Sequence, residues 1–155
     1  MKAAVLTAPE TIEIQGSIKK PDIGDDEVLV KLEYCGICTL EQRLFSGAMK
    51  IYYPIIPGHE ACGTVAEVGP KVLSHLHSGQ KVAIDLVTRC NECYYCRTGN
   101  SNLCENRFKK GQKVLGGFSE YIAVKATQVF PVPQEMDLKT AAFAEPVACC
   151  IRSLN

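Results

Sequence analysis

Four cysteines gathered in one short polar run constrain this chain more than any other feature. Cys90, Cys93, Cys96 and Cys104 lie in T-R-C-N-E-C-Y-Y-C-R-T-G-N-S-N-L-C-E-N, with the spacing C-x2-C-x2-C-x7-C. The segment holds little apolar material, so something other than a hydrophobic core must fold it. Four thiolates around a tetrahedral Zn2+ supply that, because metal-binding free energy becomes folding free energy. The predicted zinc-stapled lobe covers residues 88–107 or so. An iron–sulfur cluster is the main rival, but bacterial cluster runs follow C-x2-C-x2-C-x3-C-P. Here the last gap is seven residues, and Glu105 follows Cys104. Free or partly oxidised thiols are the remaining alternative.

The chain has nine cysteines in all, an odd number, and M-K-A-A-V-L-T-A-P-E is too short in apolar residues for a secretory signal. Metal ligands in a reducing cytoplasm therefore fit better than a disulfide framework. No run of about 18 apolar residues suggests a membrane span. Lys+Arg and Asp+Glu balance at 17 each, which gives no case for a nucleic-acid or membrane-surface partner. With 155 residues, one core and one domain over 1–155 are expected.

The residue pattern predicts a mainly β fold with short helices (α+β). Strands are expected over residues 2–7, 27–34, 61–68, 80–86 and 118–124. In the second, Val28, Val30, Leu32 and Tyr34 alternate with Glu27, Lys31 and Glu33, which assigns the first group to one face. Many short strands separated by Gly and Pro, with Gly111, Gly116 and Gly117 before the last, suggest a small barrel. A helical turn is expected over 39–45. Asp137 suits the N-cap of a helix to Phe143, and Pro146 suits the first position of another over 146–154. That last helix reaches the end of the sequence without a capping residue, as if cut.

Three further segments carry chemistry: C-G-I-C-T-L-E-Q-R with Cys38, I-P-G-H-E-A-C-G with His59 and Glu60, and A-E-P-V-A-C-C with Glu145. Cys, His and Glu form a ligand set suited to Zn2+, with three protein donors and an open fourth position for catalysis. Cys35 with Cys38 makes a C-x2-C, but no βαβ pattern surrounds it to favour a redox pair. Cys35 then reads as a small strand-end residue, and Cys62, Cys149 and Cys150 read as buried apolar residues. His75 and His77 lie in a polar turn and read as solvated rather than as a metal pair. Arg89, Arg97 and Arg107 are placed to screen the thiolate cluster.

Taken in order, C-G-I-C, P-G-H-E, the four-cysteine run and A-E-P resemble the zinc-dependent medium-chain alcohol and polyol dehydrogenases. The resemblance covers essentially the whole chain and is to the catalytic domain, a GroES-like, partly open β-barrel with a zinc-stapled lobe. It implies that Cys38 and His59 are constant ligands of a catalytic zinc, with Glu145 at the third ligand's place. Glu60 matches a glutamate that can approach or replace a ligand. Glu41 stands where the family usually has Asp, in position to bond a metal-bound imidazole. Cys90, Cys93, Cys96 and Cys104 match the structural-zinc ligands.

The activity implied is hydride transfer from a zinc-bound alkoxide, derived from a small alcohol or polyol, to NAD or NADP. Two departures from the family pattern concern its proton relay: Leu40 replaces a hydroxyl residue, and Arg43 replaces a histidine found in some relatives. Thr39, Glu60 or a metal-bound water is left to carry the proton. No G-x-G-x-x-G follows a strand, and 111–117 (G-Q-K-V-L-G-G) does not fit that pattern, so a Rossmann cofactor domain is expected to be absent. The terminal helices over 137–155 then lead toward a missing domain, and the chain alone is expected to be inactive. A stand-alone, non-catalytic zinc module is the alternative. Apolar residues Phe143, Val147 and Ile151, if uncovered, favour a homo-oligomer.

Overall fold

A computed structural model describes residues 1–73, 75–87, 89–106 and 116–154. Seven strands, β1 (Ala3–Ala8), β2 (Thr11–Gln15), β3 (Glu27–Gly36), β4 (Glu60–Val68), β5 (Lys81–Asp85), β6 (Tyr121–Lys125) and β7 (Val129–Pro131), dominate these residues. Four short helices accompany them: α1 (Thr39–Phe45), α2 (Tyr94–Arg97), α3 (Leu138–Ala141) and α4 (Ala144–Ser153). β1 and β2 form a hairpin, and the other five strands form a sheet in the order β6-β3-β4-β5-β7. Every described strand pair is antiparallel, so no parallel βαβ unit occurs among the described residues. Single bridges from Ala3 to Ser119 and from Leu6 to Ile55 carry the hairpin onto the sheet, giving a partly open barrel.

The core follows from alternation within β3, β4, β5 and β6. Val28, Val30, Ala61, Val65, Val82, Ile84, Ile122 and Val124 are buried together, with Leu76, Leu86 and Val129 closing the ends. Leu29 is buried as completely as its neighbours, so the middle of β3 is covered on both faces. The alternation predicted for β3 does not persist to Tyr34, which is 46% exposed. The pairing with β4 skips Glu33 between Leu32 and Tyr34, and such an extra residue turns the following side chains to the opposite face.

The ends of the helices differ from the pattern expected. Asp137 caps α3 by accepting from Lys139 N at 3.2 Å, but that helix stops at Ala141. α4 starts two residues before Pro146, which is tolerated because the first-turn N–H groups have no partner within the helix. α4 has no buried residue, so Cys149 and Cys150 are exposed rather than buried as expected. Cys62 is buried as expected. Phe143, Val147 and Ile151 are exposed as well. The expected positions Arg107 and Gly111, and the ends of the predicted lobe at Thr88 and Arg107, lie outside the described residues, as does Asn155.

Candidate metal centres and active site

Cys38 is both the end of the β3 turn and the N-cap of α1. Its Sγ accepts from Leu40 N at 3.1 Å, and Glu41 reaches back to accept from Cys38 N at 3.1 Å. This is a capping box with sulfur in place of a hydroxyl, and it fixes the sulfur's direction. His59 comes from the Pro57-Gly58 bend before β4. Gly58 takes φ +95°, and its carbonyl accepts from Gly117 N at 3.1 Å, while Pro57 O accepts from Phe118 N at 3.0 Å. Cys35 Sγ packs between the two glycines: a Cβ on Gly58 would lie 2.9 Å from it, and one on Gly117 only 2.6 Å. The bend carrying His59 is thus clamped by backbone bonds and by a sulfur that admits no further atoms.

Glu41 ties the two segments together. Buried at 5% exposure, its Oε1 accepts from His59 Nδ1 at 2.7 Å and from Gly58 N at 3.3 Å, while Oε2 serves Cys38 N. Burial alone pushes the Glu41 carboxyl up, but the bonds from His59 and Cys38 together hold it below its ordinary value. The same contact holds His59 above its ordinary value. Because Nδ1 is engaged by Glu41, Nε2 is the nitrogen presented to Cys38, with Sγ and Nε2 3.5 Å apart.

That distance can be tested against metal chemistry. Tetrahedral Zn2+ with bonds of about 2.3 Å to S and 2.0–2.1 Å to N sets the two donors about 3.6 Å apart. The donor atoms of Cys38, His59 and Glu60 lie within 4.8 Å of one another, so the set fits a metal ion. Desolvation pushes the Glu60 carboxyl up, and its Oε2 lies over Gly36, where a Cβ would collide with it. Glu145 is not one of these three. Its carboxylate accepts from Cys149 Sγ at 3.2 Å and lies near enough to act on the charges of His59 and Glu60.

The four-cysteine run closes into a second cluster. All four Sγ atoms lie within 4.8 Å, with Cys90 and Cys96 3.9 Å apart. Sulfurs at the corners of a zinc tetrahedron stand about 3.8 Å apart. Cys90 Sγ accepts from Cys93 N at 3.3 Å and Glu92 N at 3.5 Å, and Cys104 Sγ accepts from Cys90 N and Asn106 N, both at 3.4 Å. Such N–H groups favour the thiolate, and those of Glu92 and Cys93 draw Cys90 down to about 6. The positive-φ Asn91 makes the turn between the first two cysteines. Arg89, next to Cys90 in the chain, pairs its guanidinium with Asp85.

The sequence matches the profile of the alcohol dehydrogenase GroES-like domain over residues 24–134. The chain belongs to that family. D-arabinitol dehydrogenase 1 of Uromyces fabae is 35% identical over 87% of this chain and 38% of its own length. An alcohol dehydrogenase of Geobacillus stearothermophilus is 37% identical over 96% of this chain and 44% of its own. Among solved structures, a Sinorhizobium meliloti 1021 protein assigned as a zinc-binding dehydrogenase and bound to NADP superposes with a TM-score of 0.89. It is 36% identical, covering 99% of this chain and 44% of that one. The chain therefore spans less than half the length of these relatives.

Within this GroES-like domain, the departures noted from the family pattern can now be located. Leu40 is half-buried in the first turn of α1, and Arg43 is exposed on the same helix. His75 and His77 are exposed in the turn before β5, as their polar setting implied. Two supports of the site were not singled out from sequence: Gly36 beneath Glu60, and Cys35 wedged against Gly58 and Gly117. The repeated glycines of C-G-I-C and G-G-F were the available signal, but a close approach across 82 residues leaves no local pattern. No described helix is long and apolar enough to cross a membrane.

Proposed function

We propose that this chain is the catalytic domain of an NAD(P)-linked alcohol or polyol dehydrogenase that binds two zinc ions. One is held by Cys38, His59 and an acidic residue, and the other by Cys90, Cys93, Cys96 and Cys104. The observation that carries this reading is the 3.5 Å separation of Cys38 Sγ from His59 Nε2, with Glu60 beside them. A zinc ion bound there supplies Lewis acidity that lowers the pKa of an alcohol oxygen and favours hydride loss to a nicotinamide.

The chain's own residues supply the rest. Glu41 keeps the His59 proton on Nδ1, so that the Nε2 lone pair faces the metal position. Glu60, from β4, stands with Cys38 and His59 and completes three protein donors, leaving one position for substrate, while Glu145 on α4, outside that cluster, is the third donor that the resemblance implies. Leu40 has no proton to exchange, so Thr39, Glu60 or a water at the metal position would carry the substrate's proton. The relatives named for D-arabinitol and alcohols support a small alcohol or polyol as substrate.

NAD or NADP belongs to a cofactor domain outside these residues, and the chain alone is inactive on this reading. The odd number of cysteines and their metal-ligand spacing support a cytoplasmic setting. The exposed Phe143, Val147 and Ile151 support self-association with a second copy. The test is to assay secondary alcohols and polyols with NAD+ and NADP+, using the chain alone and the chain joined to its downstream coding sequence. Activity only in the joined form is expected. No activity across that panel with both zinc ions bound overturns the reading and favours a non-catalytic zinc module.

A further inference from the structure

The stretch between the third and fourth cysteines of the lobe makes a contact outside it. Gly99 takes φ +83°, and the turn there brings Asn100 N back to donate to Tyr95 O at 2.8 Å, beside Cys96. Asn100 O accepts from Leu103 N at 2.8 Å, within the single 3-10 turn (Ser101–Leu103) that ends at Cys104. The Asn100 backbone is thus bonded on one side next to the third cysteine and on the other next to the fourth. Its side-chain Oδ1 accepts from Arg152 Nη2 at 3.0 Å, across 52 residues of sequence.

Arg152 lies in the last turn of α4. The final carbonyls of a helix lack partners within it, so that turn frays first unless a tertiary contact holds it. α4 runs beside β4 and β5 but buries none of its residues, and its C-cap Leu154 is 87% exposed. Ser153 Oγ donates to Cys149 O at 2.9 Å, a bond that stays within the helix. The Arg152–Asn100 bond instead ties this turn to a lobe whose own folding depends on metal. Of the described residues between 89 and 106, Cys104 alone is buried, so apolar packing does not hold the lobe without the ion.

We infer that zinc in the four-cysteine lobe orders the C-terminal turn of α4, by fixing Asn100 where Arg152 donates to it. This rests on the reading of the lobe as a zinc site. Such linkage is reciprocal, so the bond strengthens the lobe's hold on zinc by the same factor as zinc protects the turn.

The test is amide hydrogen exchange over residues 148–154, read by mass spectrometry with and without one equivalent of zinc. It uses the Cys38→Ser chain, which confines the metal to the lobe. Zinc is expected to slow exchange there about threefold, the scale of one exposed polar contact. Arg152 also favours a helix C-terminus by its charge alone, so the zinc-dependent change is compared and not the absolute rate. Arg152→Ala and Asn100→Ala are each expected to abolish that change. Each is also expected to weaken zinc binding by the lobe about threefold in chelator competition. The double variant is expected to lose no more than either alone. Asn100→Asp offers Arg152 a charged acceptor and is expected to keep the protection. If zinc binds the lobe but slows α4 exchange equally in the parent and in Arg152→Ala, or in neither, the linkage is wrong and the zinc reading stands. If the Cys38→Ser chain takes up no zinc, the lobe reading fails and this inference with it. Unchanged exchange over β3, β4 and β5 verifies that each variant folds.

Discussion

Glu41→Gln removes one charge at the point where both site segments meet. The carboxylate accepts three bonds: from Cys38 N at 3.1 Å, Gly58 N at 3.3 Å and His59 Nδ1 at 2.7 Å. A glutamine in the same space has one accepting oxygen. If that oxygen serves His59 and Gly58, the amide NH2 meets the Cys38 N–H donor to donor. The capping box of α1 is then broken, and a part-buried N–H is left unpaired at a cost of about 1–3 kcal/mol. For a chain of this length that lowers the metal-free Tm by roughly 2–4 °C per kcal/mol. The larger effect is on metal. Groups that orient a ligand histidine contribute about 10–100-fold to affinity, equivalent to about 1.4–2.7 kcal/mol. Chelator competition on the zinc-loaded chain is the assay. The Cys38–His59 site should weaken by that factor, while the four-cysteine site is unaffected. Undiminished affinity at the former, together with an unchanged Tm, refutes the inference that Glu41 organises the site.

Three further perturbations probe other parts of the structure. Cys104→Ser, which alters the most buried of the four thiols, is expected to remove one zinc per chain and lower the Tm by several degrees, measured by elemental analysis and thermal melts. Gly36→Ala places a methyl group where Glu60 Oε2 lies, so the carboxylate must move. The cobalt spectrum of the Cys38–His59 site should change while stability shifts little, and an unchanged spectrum separates Glu60 from the metal. Gly117→Ala puts Cβ 2.6 Å from Cys35 Sγ and 3.0 Å from Gly58 O. Denaturant titration should show a loss of about 1–3 kcal/mol, partly restored by adding Cys35→Ala. No restoration means that the sulfur is not the obstacle.

Strands β3 to β6 were legible because each is a run of alternating or continuous apolar residues with a Gly or Pro close to one end. β2 was not, since Ile12 and Ile14 are 45% and 74% exposed and supply no buried face to constrain the pattern. The hairpin turn before it depends on Glu10 at φ 59°, a conformation that a glutamate does not advertise. β7 is a three-residue edge strand ending in Pro131, and such a proline hides a strand from any sequence rule. In the site, Cys38, His59 and Glu60 were legible because each sits beside a local punctuation mark. What remained hidden was tertiary: the bulge at Glu33 that turns Tyr34 outward, and the Cys35 sulfur between two distant glycines. The exposure of Cys149 and Cys150 was also missed, because burial of a cysteine depends on what packs over its helix and not on its own polarity.

Zinc stoichiometry of the purified chain and two variants tests the central claim, a second metal centre separate from the four-cysteine lobe, most directly. Two zinc ions are expected for the parent chain, and one each for Cys38→Ser and Cys104→Ser, lost from different sites. A parent chain that binds a single zinc, retained in full by Cys38→Ser, contradicts the assignment of Cys38 and His59 to a metal site.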